Sequence, residues 1–136
     1  MLRCLIVDDS PPFLAAARGL LEREGVAVVG VASTGAEALR RVAELRPDVT
    51  LVDIDLGGQS GFDVVRLLNR DADVSAARLI LISTHAEEDY AELIAASPAA
   101  GFLPKTALSA AAIRGLLGRH EGGQDGDGQV TGRPGT

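Results

Sequence analysis

The stretch that decides the fold is LIVDDS, Leu5 to Ser10, an apolar run that stops at two adjacent carboxylic acids. Leu5, Ile6 and Val7 follow one another without polar alternation, as in a strand buried on both faces of a parallel sheet. With Leu2 to Cys4 the run reaches strand length, and four more of that length follow: Val26 to Val31, Val49 to Val52, Leu79 to Ile82 and Gly101 to Leu103. Segments of helical period lie between them. In the first, Phe13, Ala17, Leu20 and Leu21 form one stripe, Pro11 and Pro12 suit a first turn, and Gly25 suits a stop. In the second, Thr34 and Glu37 have capping-box spacing, Ala36, Leu39 and Ala43 share a face, and Pro47 closes the segment. The third helix is predicted over Phe62 to Leu68 with Val65 and Leu68 inward. The fourth is predicted from about Glu87 to Ala96 with Tyr90, Leu93 and Ile94 inward. The fifth is predicted over Leu108 to Gly118 with Leu108, Ala112, Ile113 and Leu116 on one side. Parallel strands need crossover connections, and right-handed crossovers put helices on both faces. The pattern therefore predicts a doubly wound, five-stranded α/β domain with five helices.

Composition bounds what such a domain does. At 136 residues there is room for one domain, and 46% hydrophobic residues with 3% aromatic and no Trp give a core of Leu, Val, Ile and Ala. The net charge of −6, with no basic run, argues against direct nucleic-acid binding and suits a cation or a cationic partner. Cys4 is the single cysteine and sits in an apolar run, so it reads as a core residue in a reducing compartment. No run approaches the roughly 18 apolar residues of a spanning helix, and the N-terminal apolar run is too short for a targeting segment. The expectation is a soluble, cytoplasmic domain over residues 1–120. Residues 121–136 are rich in Gly, Gln, Asp and Pro and are expected to form a disordered polar tail, with His120 facing solvent at its edge.

In an open parallel sheet, ligands sit beyond the carboxyl ends of the strands. The residues there are Asp8 and Asp9 after the first strand, Asp53 and Asp55 after the third, Ser83 and Thr84 after the fourth, and Lys105 after the fifth. Taken singly, each has a plain explanation: a capping turn for Asp8 and Asp9, a solvated acid for Asp53, a helix cap for Ser83 or for Thr84 with Glu87, a surface lysine for Lys105. Together they deliver carboxylates, a hydroxyl and an ammonium to one edge. Clustered carboxylates repel, and a hard cation such as Mg²⁺ relieves them while leaving ligand positions for a phosphoryl group. Asp53, Asp9 and the Asp55 carbonyl are candidate Mg²⁺ ligands. Asp53 is the candidate nucleophile for phosphoryl transfer, with Ser83 and Lys105 neutralising the phosphoryl oxygens.

The chain resembles the receiver domain of two-component response regulators over about residues 1 to 120. LIVDDS, LVDIDLGGQSGFDV (Leu51 to Val64), LILISTHAEED (Leu79 to Asp89) and GFLPK (Gly101 to Lys105) carry the resemblance. It implies strand order 2-1-3-4-5. It also implies Asp53 as phosphoacceptor, Asp8 and Asp9 as the acidic pair, the Asp55 backbone carbonyl as a metal ligand, Ser83 as switch hydroxyl, Lys105 as the phosphate contact and Phe102 as the aromatic switch. As Phe, residue 102 can report only through packing. Asp55 and His85 match two positions that tune dephosphorylation, and an exposed loop residue without special role is the plain alternative for His85. The implied partners are a sensor histidine kinase or phosphotransfer protein, a downstream protein target and a possible homodimer, without a membrane. The implied chemistry is self-catalysed phosphoryl transfer and slow autodephosphorylation, not enzymatic turnover. Output would run through a conformational switch of the surface of helix four, strand five and helix five.

Three features depart from the family pattern. LGGQSG replaces the usual proline-containing turn, so Gly57 and Gly58 are expected to loosen that loop, and Pro98 is expected to shorten the fourth helix. Only a short polar tail follows where an effector domain is frequent, which suits a stand-alone receiver or a chain that has been cut. Three other readings stay open. A receiver-like interaction module independent of phosphate is one. A phosphatase of the haloacid dehalogenase type would use Asp53 and Asp55 as its DxD pair, although that pair belongs after a first strand. A flavin carrier would have to tolerate two carboxylates in its phosphate loop.

Overall fold

The computed structural model describes residues 1–122, with side chains through Gly118. Five strands form one parallel sheet: β1 (Arg3–Val7), β2 (Ala27–Ala32), β3 (Val49–Asp53), β4 (Leu79–Ser83) and β5 (Gly101–Pro104). Their order is β2-β1-β3-β4-β5. Alternate residues of each strand point to opposite faces, so continuous apolar runs fill two cores at once. Cys4 and Ile6 face α1 (Pro11–Arg23) and α5 (Ala110–Gly122), meeting Ala17, Leu21, Ile113 and Leu116. Leu5 and Val7 face α2 (Gly35–Leu45) and α3 (Gly61–Asp71), meeting Ala38, Val42, Val65 and Leu68. The three-layer architecture is the one the sequence pattern predicts, and the strand order is the one the resemblance implies.

Local chemistry sets the helix boundaries. Ser10 caps α1, with Pro11 and Pro12 in its first turn, and Gly25 adopts φ +87° beyond its end. Thr34 caps α2 by accepting the Glu37 N–H at 3.1 Å. The Glu37 carboxylate closes the box one residue early, on the Ser33 N–H at 2.8 Å, and that bond holds its carboxyl below the ordinary range. Ser60 caps α3, and Ser109 accepts the Ala112 N–H at the start of α5.

The structure corrects several expectations. In α2 the buried side chains are Ala38 and Val42, while Ala36 and Ala43 are exposed. Alanines mark a helix face weakly, and Val42 fixes the orientation. The fourth helical segment splits into a 3₁₀ turn, Glu87–Tyr90, and a six-residue α4, Ala91–Ala96. Leu93, expected inward, is 52% exposed. The 3₁₀ turn resets the helical phase, leaving Tyr90 and Ile94 half-buried and turning Leu93 outward. No side-chain cap forms at this segment, so Thr84 does not pair with Glu87 there. α5 starts at Ala110, after a 3₁₀ turn over Lys105–Ala107, and runs through Gly122. It therefore includes Glu121 and Gly122. The expectations for His120 as a side chain and for the tail from residue 123 lie outside the described residues. No described helix is long and apolar enough to cross a membrane.

Candidate carboxylate and lysine site

Register brings the charged groups together. Asp53, the last residue of β3, pairs with Ile82, Val7 pairs with Val52, and Ser83 pairs with Pro104. Asp8, Asp53, Ser83 and Lys105 therefore all emerge at one edge of three adjacent strands and β5. Asp8, Asp9 and Asp53 each offer a carboxylate oxygen, and these atoms lie within 4.8 Å of one another. Asp8 and Asp53 are buried, and Asp9 is exposed.

Lys105 binds this cluster internally. Its Nζ lies 2.6 Å from Asp8 Oδ2 and 3.3 Å from Asp53 Oδ2. Asp8 Oδ1 accepts the Ser10 N–H at 2.9 Å, and Asp53 Oδ1 accepts the Asp55 N–H at 3.2 Å. Asp8 is fully buried, and the Lys105 ammonium is the one cationic group beside its Oδ2 among the described residues. Such an atom is costly to bury unless a cation serves it. Three carboxylates that outnumber the single lysine beside them are hard oxygen donors that fit a small hard divalent cation. Burial pushes the Asp53 carboxyl above its ordinary range; the Asp55 N–H opposes the rise, nearby Asp8 adds to it, and Lys105 opposes it.

The remaining predicted residues have defined places. Ser83 is buried, and its hydroxyl accepts the His85 N–H at 2.9 Å, leaving its own proton for another acceptor. His85 is exposed and touches the Tyr90 ring edge-on, with centroids 5.8 Å apart. Tyr90 in turn meets Phe62 at 6.1 Å. Phe102 is buried in β5, in the core shared with α2 and α3. Cys4 is buried, its thiol pushed up to about 12 by burial, which removes any thiolate chemistry.

The loop after Asp53 is a small hairpin, Asp55–Leu56 against Gln59–Ser60, with Gly57 at φ +68° in the turn. A proline could not take that conformation. The Gln59 carboxamide oxygen accepts the Gly35 N–H at 2.8 Å, tying the hairpin to the start of α2. Sequence reading missed this tie because a glutamine in a glycine-rich loop carries no periodic signal. It also missed Gly61, where a Cβ would fall on the Asp53 carbonyl oxygen and the Ile54 Cα. Phe13 was legible only as a helix-stripe residue, yet its ring lies 4.2 Å from Lys105 Nζ. Its place in the first turn after Asp9 is the signal that could have found it.

Residues 4–114 match the family described as response regulator receiver domain. PilH of Pseudomonas aeruginosa is 38% identical over 88 residues, covering 65% of this chain and 72% of PilH. The protein-glutamate methylesterase/protein-glutamine glutaminase 5 of Myxococcus xanthus is 42% identical over 101 residues, 74% of this chain. The match spans only 28% of that enzyme. The response regulator TrrA of Thermotoga maritima, solved with Mg²⁺ and BeF, is similar with a TM-score of 0.66 and 26% identity. That likeness covers 76% of this chain and 86% of TrrA.

Proposed function

The chain belongs to the response regulator receiver domain family, and from that premise we propose that Asp53 takes a phosphoryl group from a histidine kinase or phosphotransfer protein. The observation that carries the reading is the bridging of two buried carboxylates, Asp8 and Asp53, by the Lys105 ammonium, with Asp9 beside them. Asp8, Asp9, Asp53 and the Asp55 backbone carbonyl are the residues that would hold Mg²⁺. Bound there, the cation would neutralise charge on the phosphoryl oxygens. Support comes from the three carboxylate oxygens gathered within 4.8 Å and from the Mg²⁺ present with TrrA.

An Asp53 carboxylate oxygen attacks phosphorus in line, the P–N bond to the donor histidine breaks, and its electron pair returns to the imidazole. Lys105 and the Ser83 hydroxyl then turn to the new phosphoryl oxygens. Phosphorylation adds charge and acceptor oxygens at the strand ends. Movement of Ser83 carries His85 with it through their hydrogen bond, and buried Phe102 repacks in the core against which Tyr90 and Ile94 lie, altering the surface of α4, β5 and α5. A protein target or a second copy of the chain reads that face. The domain acts by binding rather than by turnover, in the cytoplasm.

Intact mass after incubation with acetyl phosphate tests the reading. One phosphoryl increment is expected with Mg²⁺, and none in the Asp53→Asn variant. No increment with a cognate kinase and Mg²⁺ would instead favour an interaction module that works without phosphate.

A further inference from the structure

Lys105 is the only lysine in the sequence; every other one of its 13 basic residues is arginine. Arginine is a broad planar fork and lysine a compact point charge on a flexible stem. The single lysine stands where a compact charge is needed, with its side chain 11% exposed between Asp8 and Asp53. Flexibility is then a difficulty, because a four-carbon stem must be held in one place. Two carboxylates fix the ammonium on one side. The face of Phe13 meets it on another, with Nζ 4.2 Å from the ring centroid. Phe13 is itself fixed, since Pro11 and Pro12 set the first turn of α1 and Ser10 Oγ accepts the Phe13 N–H at 3.4 Å. The ring is only half-buried and packs at the edge of the α1 core, where an aliphatic side chain would serve packing as well.

We propose that Phe13 is a positioning residue for Lys105, its ring face seating the ammonium that serves Asp53. This role rests on the phosphoacceptor reading above. The carboxylate contacts are lost as Asp8 and Asp53 turn to other partners, whereas the ring is uncharged and takes no other partner. Phe13 therefore holds Lys105 within reach of the phosphoryl oxygens through the reaction.

The single lysine makes the test direct. Protein labelled with ¹³C at the lysine ε position gives one resonance, from Lys105. In the unmodified sequence it is expected to be displaced by the ring current, to lose that displacement in Phe13→Leu, and to keep it in Phe13→Tyr. Phosphoryl uptake from acetyl phosphate with Mg²⁺ should fall about threefold to tenfold in Phe13→Leu, the effect of a partly desolvated cation–π contact, and recover in Phe13→Tyr. In a Lys105→Met background, Phe13→Leu should change nothing further. An undisplaced resonance, or an equal loss in the Lys105→Met background, would overturn the role of Phe13. A chain that takes no phosphoryl group would overturn the phosphoacceptor reading, while the resonance would still decide whether Phe13 seats Lys105.

Discussion

At the scale of single residues, Asp53 combines burial, a neighbouring carboxylate and a lysine, and the balance lifts its proton affinity. A carboxyl whose folded pKa is raised contributes stability below the ordinary carboxylate range and loses it as pH rises through the raised value. Without divalent cation, Asp53→Asn is therefore expected to raise the thermal midpoint near about pH 7, with the gain shrinking toward about pH 4. Lower midpoints for the variant at neutral pH would show that Lys105 outweighs burial and Asp8. Gly61 makes the opposite kind of demand, since backbone atoms of Asp53 and Ile54 occupy the space of a Cβ and cannot swing away. Gly61→Ala is expected to cost about 1–3 kcal/mol in denaturant unfolding, the range for overpacking. A cost within about 0.5 kcal/mol, usual for surface changes, would contradict that packing. Asp8, Asp9, Asp53, Ser83 and Lys105 were legible because each follows an apolar run. Gly61 was not, because no pattern marks the backbone of Asp53 and Ile54 folding back on it, and Phe13 read only as a helix-stripe residue because Lys105 is distant in sequence.

At the scale of elements, sequence and structure agree best where side chains are large and apolar. All five strands and the capped starts of α1 and α2 follow from runs, prolines and hydroxyl caps. The fourth helical segment was legible in position but not in phase. Its capless start and Pro98 soon after its end leave six α-helical residues, too few to stabilise themselves. Leu93 tests the corrected face. Leu93→Ser should change unfolding free energy by less than about 0.5 kcal/mol, whereas Ile113→Ala in the buried α5 face should cost about 2–5 kcal/mol. A large loss at Leu93 would restore the inward orientation that periodicity suggested. The loop after Asp53 shows a different limit. Gly57 and Gly58 read as flexibility, yet they form a hairpin turn whose Gln59 is bonded to α2.

At the scale of the whole molecule, two cores on either side of one sheet hold the strand ends in register, so the site is assembled by the fold rather than by any one segment. The sheet order places β1 and β3 side by side, which is why Asp8 and Asp53 meet across 45 positions of sequence. Family membership accounts for the architecture and the signalling class, while the role of each side chain rests on its geometry. The central claim is that Asp53, and no other carboxylate of the cluster, carries the phosphoryl group. Borohydride reduction of the phosphorylated chain converts an aspartyl phosphate to homoserine, which peptide mass mapping can place. The account predicts homoserine at position 53 alone. Homoserine at position 8, 9 or 55, with aspartate intact at 53, would contradict it.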